Sequence, residues 1–478
     1  MNAGTMLALS VALIVGMAAT ADAGAKPLQP PEGAPEYQAP SRPTDGAQMA
    51  LTLEKLEKGF DPPRPFLIWA VGSSFTNALR VNPLLLEPIR KRFPNAPKLV
   101  YRKIAGNSTS YHFSHGWARH LVIPDQPDLV VLYNFGKTEN LEKVVADVRR
   151  HTTADILVPT LHWCKPHKKV WPDPDKRNSH QDPTAMRAMA ARHGVEFVES
   201  RRELTQYLLD HKLPFECLLR DSVHQSQYAA KMICLNIARH IHRPARFAYD
   251  PRSRERRLEA ESAKAVTAQG AWKRADGRLA ATQRGATVAV KFTGTRIDLI
   301  GWRHEAGGSA QVLVDGKPAD QAPVFSIGYV LPNRKNAPKP PNPPRDRAPH
   351  LVELGDHIVP QKWTLTLTSD TGDYKLVGSV TGPDGTGNNQ KPFTSTSGQI
   401  RIDPAYWRGS RNNRTGDSYT FEVTRPALGR VDFKGKPDKF RLQLIRGLPN
   451  GPHTLSLVAA GDGPVAVDAF DVFEPPLK

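Results

Sequence analysis

The sequence predicts a doubly wound α/β domain built on a parallel sheet, followed by an all-β sandwich of the jelly-roll type. Three observations predict this fold class. Residues 66–242 alternate short apolar runs with amphipathic stretches, which is typical of a parallel sheet flanked by helices. Beyond residue 270, apolar and polar residues alternate with period two between Gly, Pro and Asp turns, as antiparallel strands do. The chain has 478 residues, about three times the usual domain length.

The α/β part is predicted element by element from these runs. We expect strands at residues 66–71, 99–104, 129–133, 155–160 and 195–198. Helices are expected at residues 84–92, 140–150, 183–193, 201–211 and 228–241. Ligands of a doubly wound sheet bind in the crevice beyond the carboxyl ends of its strands. The side chains that follow the strands are therefore the first candidates for chemistry.

The amino terminus has the features of an export signal. An apolar run at residues 7–19 precedes Ala21-Asp22-Ala23, which has the small-x-small form of a cleavage site. We therefore predict a signal peptide at residues 1–23 and a secreted or periplasmic protein. No other run reaches the ~18 uncharged apolar residues of a membrane helix, so no stable membrane insertion is expected.

The remaining boundaries follow from changes in composition. Residues 24–59 are predicted to be an extended, proline-rich segment, residues 60–245 the α/β domain, and residues 246–269 a charged linker helix or tether. Residues 270–478 form the predicted β-sandwich, with an insertion at about residues 328–446. Trp363, Tyr406 and Trp407 in that insertion either fill a core, the preferred interpretation, or offer ring faces to sugars.

Charge and cysteine content exclude several function classes. The net charge of +18, from 65 Lys+Arg against 47 Asp+Glu, is spread along the chain rather than gathered into a stripe with aromatics, so nucleic acid is not an expected partner. A spread positive charge suits general attraction to anionic polymers or surfaces. Three cysteines cannot form a disulfide framework, and Cys164 with His167 supplies too few ligands for zinc. Neither a metal nor a cofactor is expected, and the oligomeric state is not predicted.

A serine stands where the first strand ends. The strand at residues 66–71 runs into Gly72-Ser73-Ser74-Phe75-Thr76. Glycine permits a tight bend, and a serine just past it lies at the sheet edge, where following backbone N–H groups can face an oxyanion. Ser74 is therefore a candidate nucleophile, although a strand followed by Gly-Ser-Ser is a common sequence by itself.

An acid and a base lie close together late in the chain. In Asp221-Ser222-Val223-His224, one short loop supplies a histidine and the carboxylate that can fix its tautomer. The alternative interpretation is that Asp221 caps the following helix beside an exposed histidine. The residues of this segment alone leave both interpretations open.

Taken together, these segments resemble the SGNH hydrolases, also called the GDSL esterase family, over about residues 65–243. Gly72-Ser73-Ser74 stands where the family has Gly-Asp-Ser, and Asp221-x-x-His224 stands in its last block. The resemblance implies a Ser74–His224–Asp221 catalytic triad. It also implies an oxyanion hole formed by the backbone N–H groups of Ser74 and Gly106.

One block of the family pattern is missing. The family usually has Gly-x-Asn after the third strand, whereas this chain has Asn134-Phe135-Gly136 and then Asn140. Asn134, or alternatively Asn140, is expected to supply the oxyanion donor, or neither does. His162 follows the fourth strand. It either contacts substrate or replaces the missing oxyanion donor, or it is an ordinary loop histidine.

The second part weakly resembles the galactose-binding-like sandwiches that accompany carbohydrate esterases, through phrases such as Val314-Asp315-Gly316. The sequence thus predicts an exported serine esterase for short acyl esters, acetyl above all, on polysaccharide or another small ester. A lipase or phospholipase would use the same triad. A polysaccharide-binding protein with a decayed hydrolase site is the alternative from a different class.

Overall fold

The computed structural model describes residues 29–79, 84–103, 109–322, 324, 326–330, 349, 351–355, 357–407 and 413–478. The predicted signal peptide, residues 1–23, lies outside them. Among the described residues, no helix is long and apolar enough to cross a membrane.

Five parallel strands form the first sheet, in the order β2-β1-β3-β4-β5. They are β1 (Phe66–Gly72), β2 (Leu99–Lys103), β3 (Leu129–Tyr133), β4 (Asp155–Pro159) and β5 (Glu196–Val198). All five residues of β3 and all five of β4 are buried. This burial on both faces explains why these strands are continuous apolar runs rather than alternating ones.

Helices cover both faces of this sheet. They are α1 (Ala50–Lys58), α2 (Ser74–Asn77), α3 (Leu86–Arg92), α4 (Ser110–His112), α5 (Thr138–His151), α6 (Pro183–His193), α7 (Ser200–Asp210) and α8 (Gln227–Arg239), with a π-helix at Phe113–Val122 and short 3-10 turns at Ile123–Asp125, Lys165–His167 and Phe215–Leu218. Ile68 and Val131 pack into the core beneath α1, α3, α7 and α8. Trp69 and Val130 pack into the opposite core beneath α5, α6 and the π-helix. The domain is therefore doubly wound, as predicted.

Two local predictions need correction in this domain. Residues 24–59 are not extended throughout, because Ala50–Lys58 forms α1, whose Leu53 and Leu56 are buried in the sheet core. The π-helix at Phe113–Val122 was not predicted. Its backbone leaves helical geometry at His115 and Gly116, with φ of 132° at the glycine, which interrupts the apolar period on which a helix prediction depends.

The second half of the described chain consists of antiparallel strands with short 3-10 turns. The strands are β6 (Glu255–Glu259), β7 (Val266–Gln269), β8 (Lys273–Ala275), β9 (Arg278–Ala281), β10 (Thr287–Trp302), β11 (Ser309–Val314), β12 (Lys317–Pro318), β13 (Ser326–Val330), β14 (Glu353–Leu354), β15 (Gln361–Leu367), β16 (Asp373–Gly378), β17 (Gly382–Asn388), β18 (Phe393–Thr394), β19 (Ile400–Ile402), β20 (Ser418–Thr424), β21 (Arg430–Asp432), β22 (Lys439–Ala459) and β23 (Val465–Phe473). The 3-10 turns are Pro251–Ser253, Ala319–Gln321 and Pro404–Trp407.

Ten of these strands form one sheet, and its longest strands, β10 and β22, pair with each other. The pairing changes register between Gly294 and Arg296, where β10 bends. A Cβ at Gly294 would lie 2.2 Å from the carbonyl oxygen of Phe473, so only glycine allows this close approach. The bend lets one strand serve two halves of the sheet around a common apolar core.

The segment at residues 246–269 is not a linker helix. It forms the turn Pro251–Ser253 and strands β6 and β7, which pair with β23 and β10. Its charged side chains point to partners on the sheet: Arg257 Nε lies 2.8 Å from Asp471 Oδ1, and Arg256 Nη1 lies 2.9 Å from Glu474 Oε2. Paired charges on a strand therefore produced a composition that suggested a solvated tether.

The insertion is a separate pair of sheets. Strands β13, β20, β15, β16 and β17 form a five-stranded sheet, and β14, β19 and β18 a three-stranded one. The insertion ends near Thr424 rather than residue 446, because β21 and β22 return to the ten-stranded sheet. Trp363 and Trp407 are buried in its core, as the preferred interpretation expected, and Tyr406 packs against that core.

Buried ion pairs join the first sheet to the second half at the amino ends of its strands. Asp128, just before β3, accepts two hydrogen bonds from Arg64, at 2.7 and 2.8 Å, and one from Lys55 Nζ at 2.9 Å. Lys55 also contacts Glu255 of β6 at 2.7 Å. Asp155, which opens β4, binds Arg254 Nη1 at 2.9 Å. These ion pairs thus lie at the sheet edge opposite to the one that carries Ser74.

Candidate active site

The turn after β1 presents Ser74 at the carboxyl edge of the sheet. Ser73 caps α2 by accepting a hydrogen bond from the Phe75 amide at 3.2 Å, so Ser74 is the first helical residue. A Cβ at Gly72 would lie 1.5 Å from Thr76 Oγ1 and 2.7 Å from the Tyr133 carbonyl oxygen. Glycine is therefore required here by the close approach of β1 to β3. Ser74 itself is half-buried.

The loop that carries Asp221 and His224 is a closed turn. The Arg220 amide donates to the His224 carbonyl at 2.8 Å, and Asp221 Oδ1 accepts from the amides of Val223 at 2.9 Å and His224 at 2.8 Å. Helix α8 is capped by Ser226, whose hydroxyl accepts from the Ala229 amide. The alternative interpretation of Asp221 as the helix cap is therefore wrong.

The structure brings Ser74, His224 and Asp221 into one chain of hydrogen bonds. His224 Nε2 lies 2.9 Å from Ser74 Oγ, across 150 residues of sequence, and His224 Nδ1 lies 2.9 Å from Asp221 Oδ2. Nδ1 donates to the carboxylate, which leaves Nε2 to accept the serine proton. This is the arrangement in which a histidine can act as general base toward a hydroxyl.

The charge state of Asp221 suits this role. Burial alone would raise the pKa of its carboxyl, but the backbone amides of His224 and Val223 and the His224 ring together hold it well below its usual range. Asp221 is therefore a carboxylate at neutral pH. It can stabilise a positive charge that forms on His224.

His162 is buried beneath the loop, with 1% of its surface exposed. Its Nε2 donates to the Val223 carbonyl at 2.8 Å, so its Nδ1 accepts from the Tyr133 hydroxyl, also at 2.8 Å. Burial lowers the pKa of His162 to about 3, which keeps the ring neutral. Both nitrogens are occupied, so the structure places His162 as a support of the loop and gives it no direct route to substrate.

Several residues that sequence reasoning did not identify position the triad. Gln225 Nε2 donates to the Phe75 carbonyl at 2.7 Å and so ties the acid-base loop to the nucleophile turn. The Phe75 ring contacts the His224 ring, with centroids 5.6 Å apart, and the His162 ring at 5.0 Å. Proximity in sequence to Ser74 and His224 was the available signal for Phe75 and Gln225. For Tyr133, the only signal in the sequence was its place at the end of β3.

The oxyanion donors are only partly described. Gly106 lies outside the described residues. Asn134 is fully buried; its Oδ1 accepts from the Phe135 amide at 2.9 Å, and its Nδ2 has no hydrogen-bond partner among the described residues. Asn140 lies in the first turn of α5 and lines a neighbouring cleft. An amide with a free buried donor, just past the end of β3, fits the role better than one on the cleft wall.

Cys164, His167 and His180 have ligand atoms within 4.8 Å of one another, which is close enough to consider a metal. The hydrogen bonds argue against one. The Cys164 amide donates to His167 Nδ1 at 3.1 Å, which places the proton of the neutral ring on Nε2. A histidine that binds metal through one nitrogen donates a proton from the other, so this ring has the wrong tautomer.

A cleft of about 760 Å³ lies beside the triad, and its lining includes Tyr111, Phe135, Lys137 and His180. Phe135 and His180 also contact the Phe75 ring, at centroid distances of 5.6 and 5.7 Å, so the cleft wall touches the residue that follows Ser74, although no triad residue lines the cleft. This volume lies within the range of small-molecule sites. A ligand in the cleft could place an ester near the hydroxyl.

Comparison with known proteins finds no matching family model and no match among curated sequences. Solved structures do resemble the chain. A two-domain esterase active on acetylated mannans is 12% identical, with a TM-score of 0.34, and the alignment covers 90% of this chain and 95% of that one.

Two acetylxylan esterases resemble part of the chain. The enzyme from Geobacillus stearothermophilus is 14% identical with a TM-score of 0.29, over 38% of this chain and 97% of that one. A second acetyl xylan esterase is 16% identical with a TM-score of 0.29, over 36% and 97%. All three similarities are distant in sequence and in overall superposition.

Proposed function

We propose that this protein is an exported serine esterase that hydrolyses short acyl esters, acetyl above all, on polysaccharide. The single observation that carries the proposal is the hydrogen-bonded series Ser74–His224–Asp221 at the carboxyl edge of the sheet, with distances of 2.9 Å at both links. Export rests on the apolar run and cleavage-like sequence within residues 1–23.

In the proposed reaction, Ser74 Oγ attacks the ester carbonyl while its proton passes to His224 Nε2. The resulting tetrahedral oxyanion is stabilised by the backbone N–H of Ser74, which opens α2 and has no helical acceptor, and by the Nδ2 of Asn134. His224 then returns the proton to the leaving sugar oxygen, and an acyl-serine remains.

Hydrolysis of the acyl-serine follows the same path in reverse. A water molecule attacks the acyl carbonyl, with its proton taken by His224, and acetate leaves as Ser74 regains its hydrogen. Asp221 stays ionised throughout and stabilises the imidazolium of each half-reaction. The sequence of steps needs no metal or cofactor.

The lining of the cleft favours a sugar over a fatty acyl chain. Lys137, Asn140, Arg177 and Asn178 are polar or charged, whereas a lipase would present an apolar channel to its substrate. Tyr111 stacks on His115, with ring centroids 3.9 Å apart, and gives the cleft an aromatic wall. Such walls match the apolar face of a sugar ring.

The test is acetate release from a panel of O-acetylated polysaccharides by the purified chain and by Ser74→Ala. We expect the variant to lose activity by at least ~10³-fold, because in the described part of the chain Ser74 carries the hydroxyl that is bonded to His224. Ser262→Ala, an exposed serine of the second half, is the control and should retain full activity. Equal rates for the protein and Ser74→Ala would exclude Ser74 from the reaction.

The two alternatives give different outcomes. A lipase or phospholipase would hydrolyse p-nitrophenyl esters faster as the acyl chain lengthens, whereas we expect the highest kcat/KM for acetate. A polysaccharide-binding protein with a decayed site would release no acetate from any substrate and would bind the polymer equally with serine or alanine at position 74.

A further inference from the structure

The cleft beside the triad is lined by three cations that have no ion-pair partner. Lys137, Lys143 and Arg177 are all exposed, and within the described part of the chain none of them makes a salt bridge or a side-chain hydrogen bond. Other cations near this region are paired: Arg187, for example, contacts both Asp175 and Glu199. Unpaired cations around a concave surface attract anions more strongly than the same charges on a convex one.

The three cations approach the cleft from two sides. Lys137 and Lys143 belong to the start of α5, and Arg177 belongs to the segment that follows β4 on the opposite wall. The acidic residues of the lining are fewer: Glu139, and Asp182, which is engaged in capping α6 at 3.0 Å from the Ala185 amide. The lining therefore carries a net positive charge.

The backbone adds to this field. Helix α5 has 14 residues, and its cap residue, Lys137, makes no side-chain cap hydrogen bond. Lys137, Thr138 and Glu139 all line the cleft, so the positive end of the helix opens into it. An anion in the cleft would therefore meet side-chain and backbone charges of the same sign.

We propose that the substrate is an anionic polysaccharide, in which sugars carrying carboxylate or sulfate groups occupy this cleft while a neighbouring O-acetyl group reaches Ser74. The proposal rests on the esterase function proposed above and specifies its substrate class. Phe135 and His180 line the cleft and contact Phe75, the residue that follows Ser74. A polymer with one sugar bound against Lys137 could therefore extend along these rings toward the nucleophile. The overall charge of +18 would steer a polyanion toward the protein.

The experiment compares acetate release from three polymers of matched acetyl content: an O-acetylated polyuronate, an O-acetylated sulfated polysaccharide, and O-acetylated mannan or xylan. For the chain itself, KM for the two anionic polymers should be lower at low salt and should rise with NaCl, because surface charges are screened within about a Debye length. KM for the neutral polymer should not depend on salt.

Lys137→Ala, Lys143→Ala and Arg177→Ala should each raise KM for the anionic polymers about two- to fivefold, the range expected for exposed charge pairs. Lys264→Ala removes the same charge from an exposed position in the second half and is the matched control.

The proposal would be overturned if the neutral polymer had the same KM as the anionic ones and showed the same rise in KM on these substitutions. It would also be overturned if KM for the anionic polymers did not depend on salt. If sulfated and carboxylated polymers respond alike, the cleft recognises charge; if only one responds, it recognises that group, and either result supports the proposal.

Failure of the esterase function is detected separately. Ser74→Ala protein lacks the chemistry but keeps the cleft, so calorimetry with polyuronate oligosaccharides measures recognition alone. Binding that weakens in the Ser74→Ala/Lys137→Ala double variant supports the cleft assignment whatever the activity. Binding that is unchanged by the second substitution refutes it.

Discussion

His162→Asn tests whether a buried relay sets the position of the acid-base loop. The relay runs from the Tyr133 hydroxyl through the His162 ring to the Val223 carbonyl, with 2.8 Å at each link. Asparagine keeps an acceptor near Tyr133 but is too short to donate to Val223. The change therefore removes the hydrogen bond from His162 to the Val223 carbonyl and leaves the three triad residues unchanged.

The expected magnitude is that of one hydrogen bond. Val223 is half-buried and its carbonyl also accepts from the Cys164 thiol at 3.2 Å, so loss of the His162 donor costs about 0.5–1.5 kcal/mol. If the loop shifts to recover that energy, the same amount enters the activation free energy, and kcat falls about 2- to 12-fold. KM should change little, because His162 does not line the cleft. The ring is neutral above its pKa of about 3, so the pH profile should keep its shape.

The assay is kcat and KM for p-nitrophenyl acetate together with thermal unfolding. His162→Gln, whose amide reaches farther, should recover part of the lost kcat. Tyr133→Phe should lower kcat although it never touches the loop, and its effect should not add to that of His162→Asn, since both act through one relay. His193→Asn, on α6 and paired with Glu142, is the control. A variant with lowered Tm but unchanged kcat would refute the relay.

Two further predictions concern other parts of the first domain. Gly72→Ala should lower both Tm and kcat, because a methyl group would lie 2.7 Å from the Tyr133 carbonyl oxygen and force β1 away from β3 at a cost of about 1–3 kcal/mol; unchanged melting and activity would contradict this. Asp128→Asn should cost about 1.5–3 kcal/mol of unfolding free energy at pH 7, because it weakens the hydrogen bonds of Lys55 and Arg64 to a buried charged group, although Lys55 keeps Glu255 and Arg64 is partly exposed. Burial by itself would raise the pKa of Asp128, but those two cations hold it below the unfolded value of about 3.9, so the contribution is complete above that value and is lost as pH falls toward the lower folded one. Chemical denaturation at pH 7 and pH 3 should show the gap between the protein and the variant narrowing with acid, and a gap independent of pH would count against the ion pairs.

The sequence predicted most closely the elements whose signals are local. Helix α6 was predicted at its observed bounds because Asp182 caps it, Pro183 occupies its first position and Gly194 ends it with φ of 57°. Buried parallel strands are uninterrupted apolar runs, so β3 was also predicted at its observed bounds. Ser74 and Asp221-x-x-His224 were identified because each follows a recognisable strand or loop.

Features that depend on distant partners were missed. The role of His162 is set by a tautomer that Tyr133 and Val223 impose from two other segments, and neither partner is visible in the local sequence. Strand β6 was mistaken for a tether because its arginines find their carboxylates more than 200 residues away. In both cases the local residues are compatible with several structures, and tertiary contacts select one.

The second half is anchored to the first domain at Asp128 and Asp155. Its insertion also touches the cleft wall, where the Tyr111 hydroxyl donates to the Ala405 carbonyl at 3.0 Å. A substitution of Tyr111 would therefore loosen a contact with the accessory sheets as well as alter the cleft.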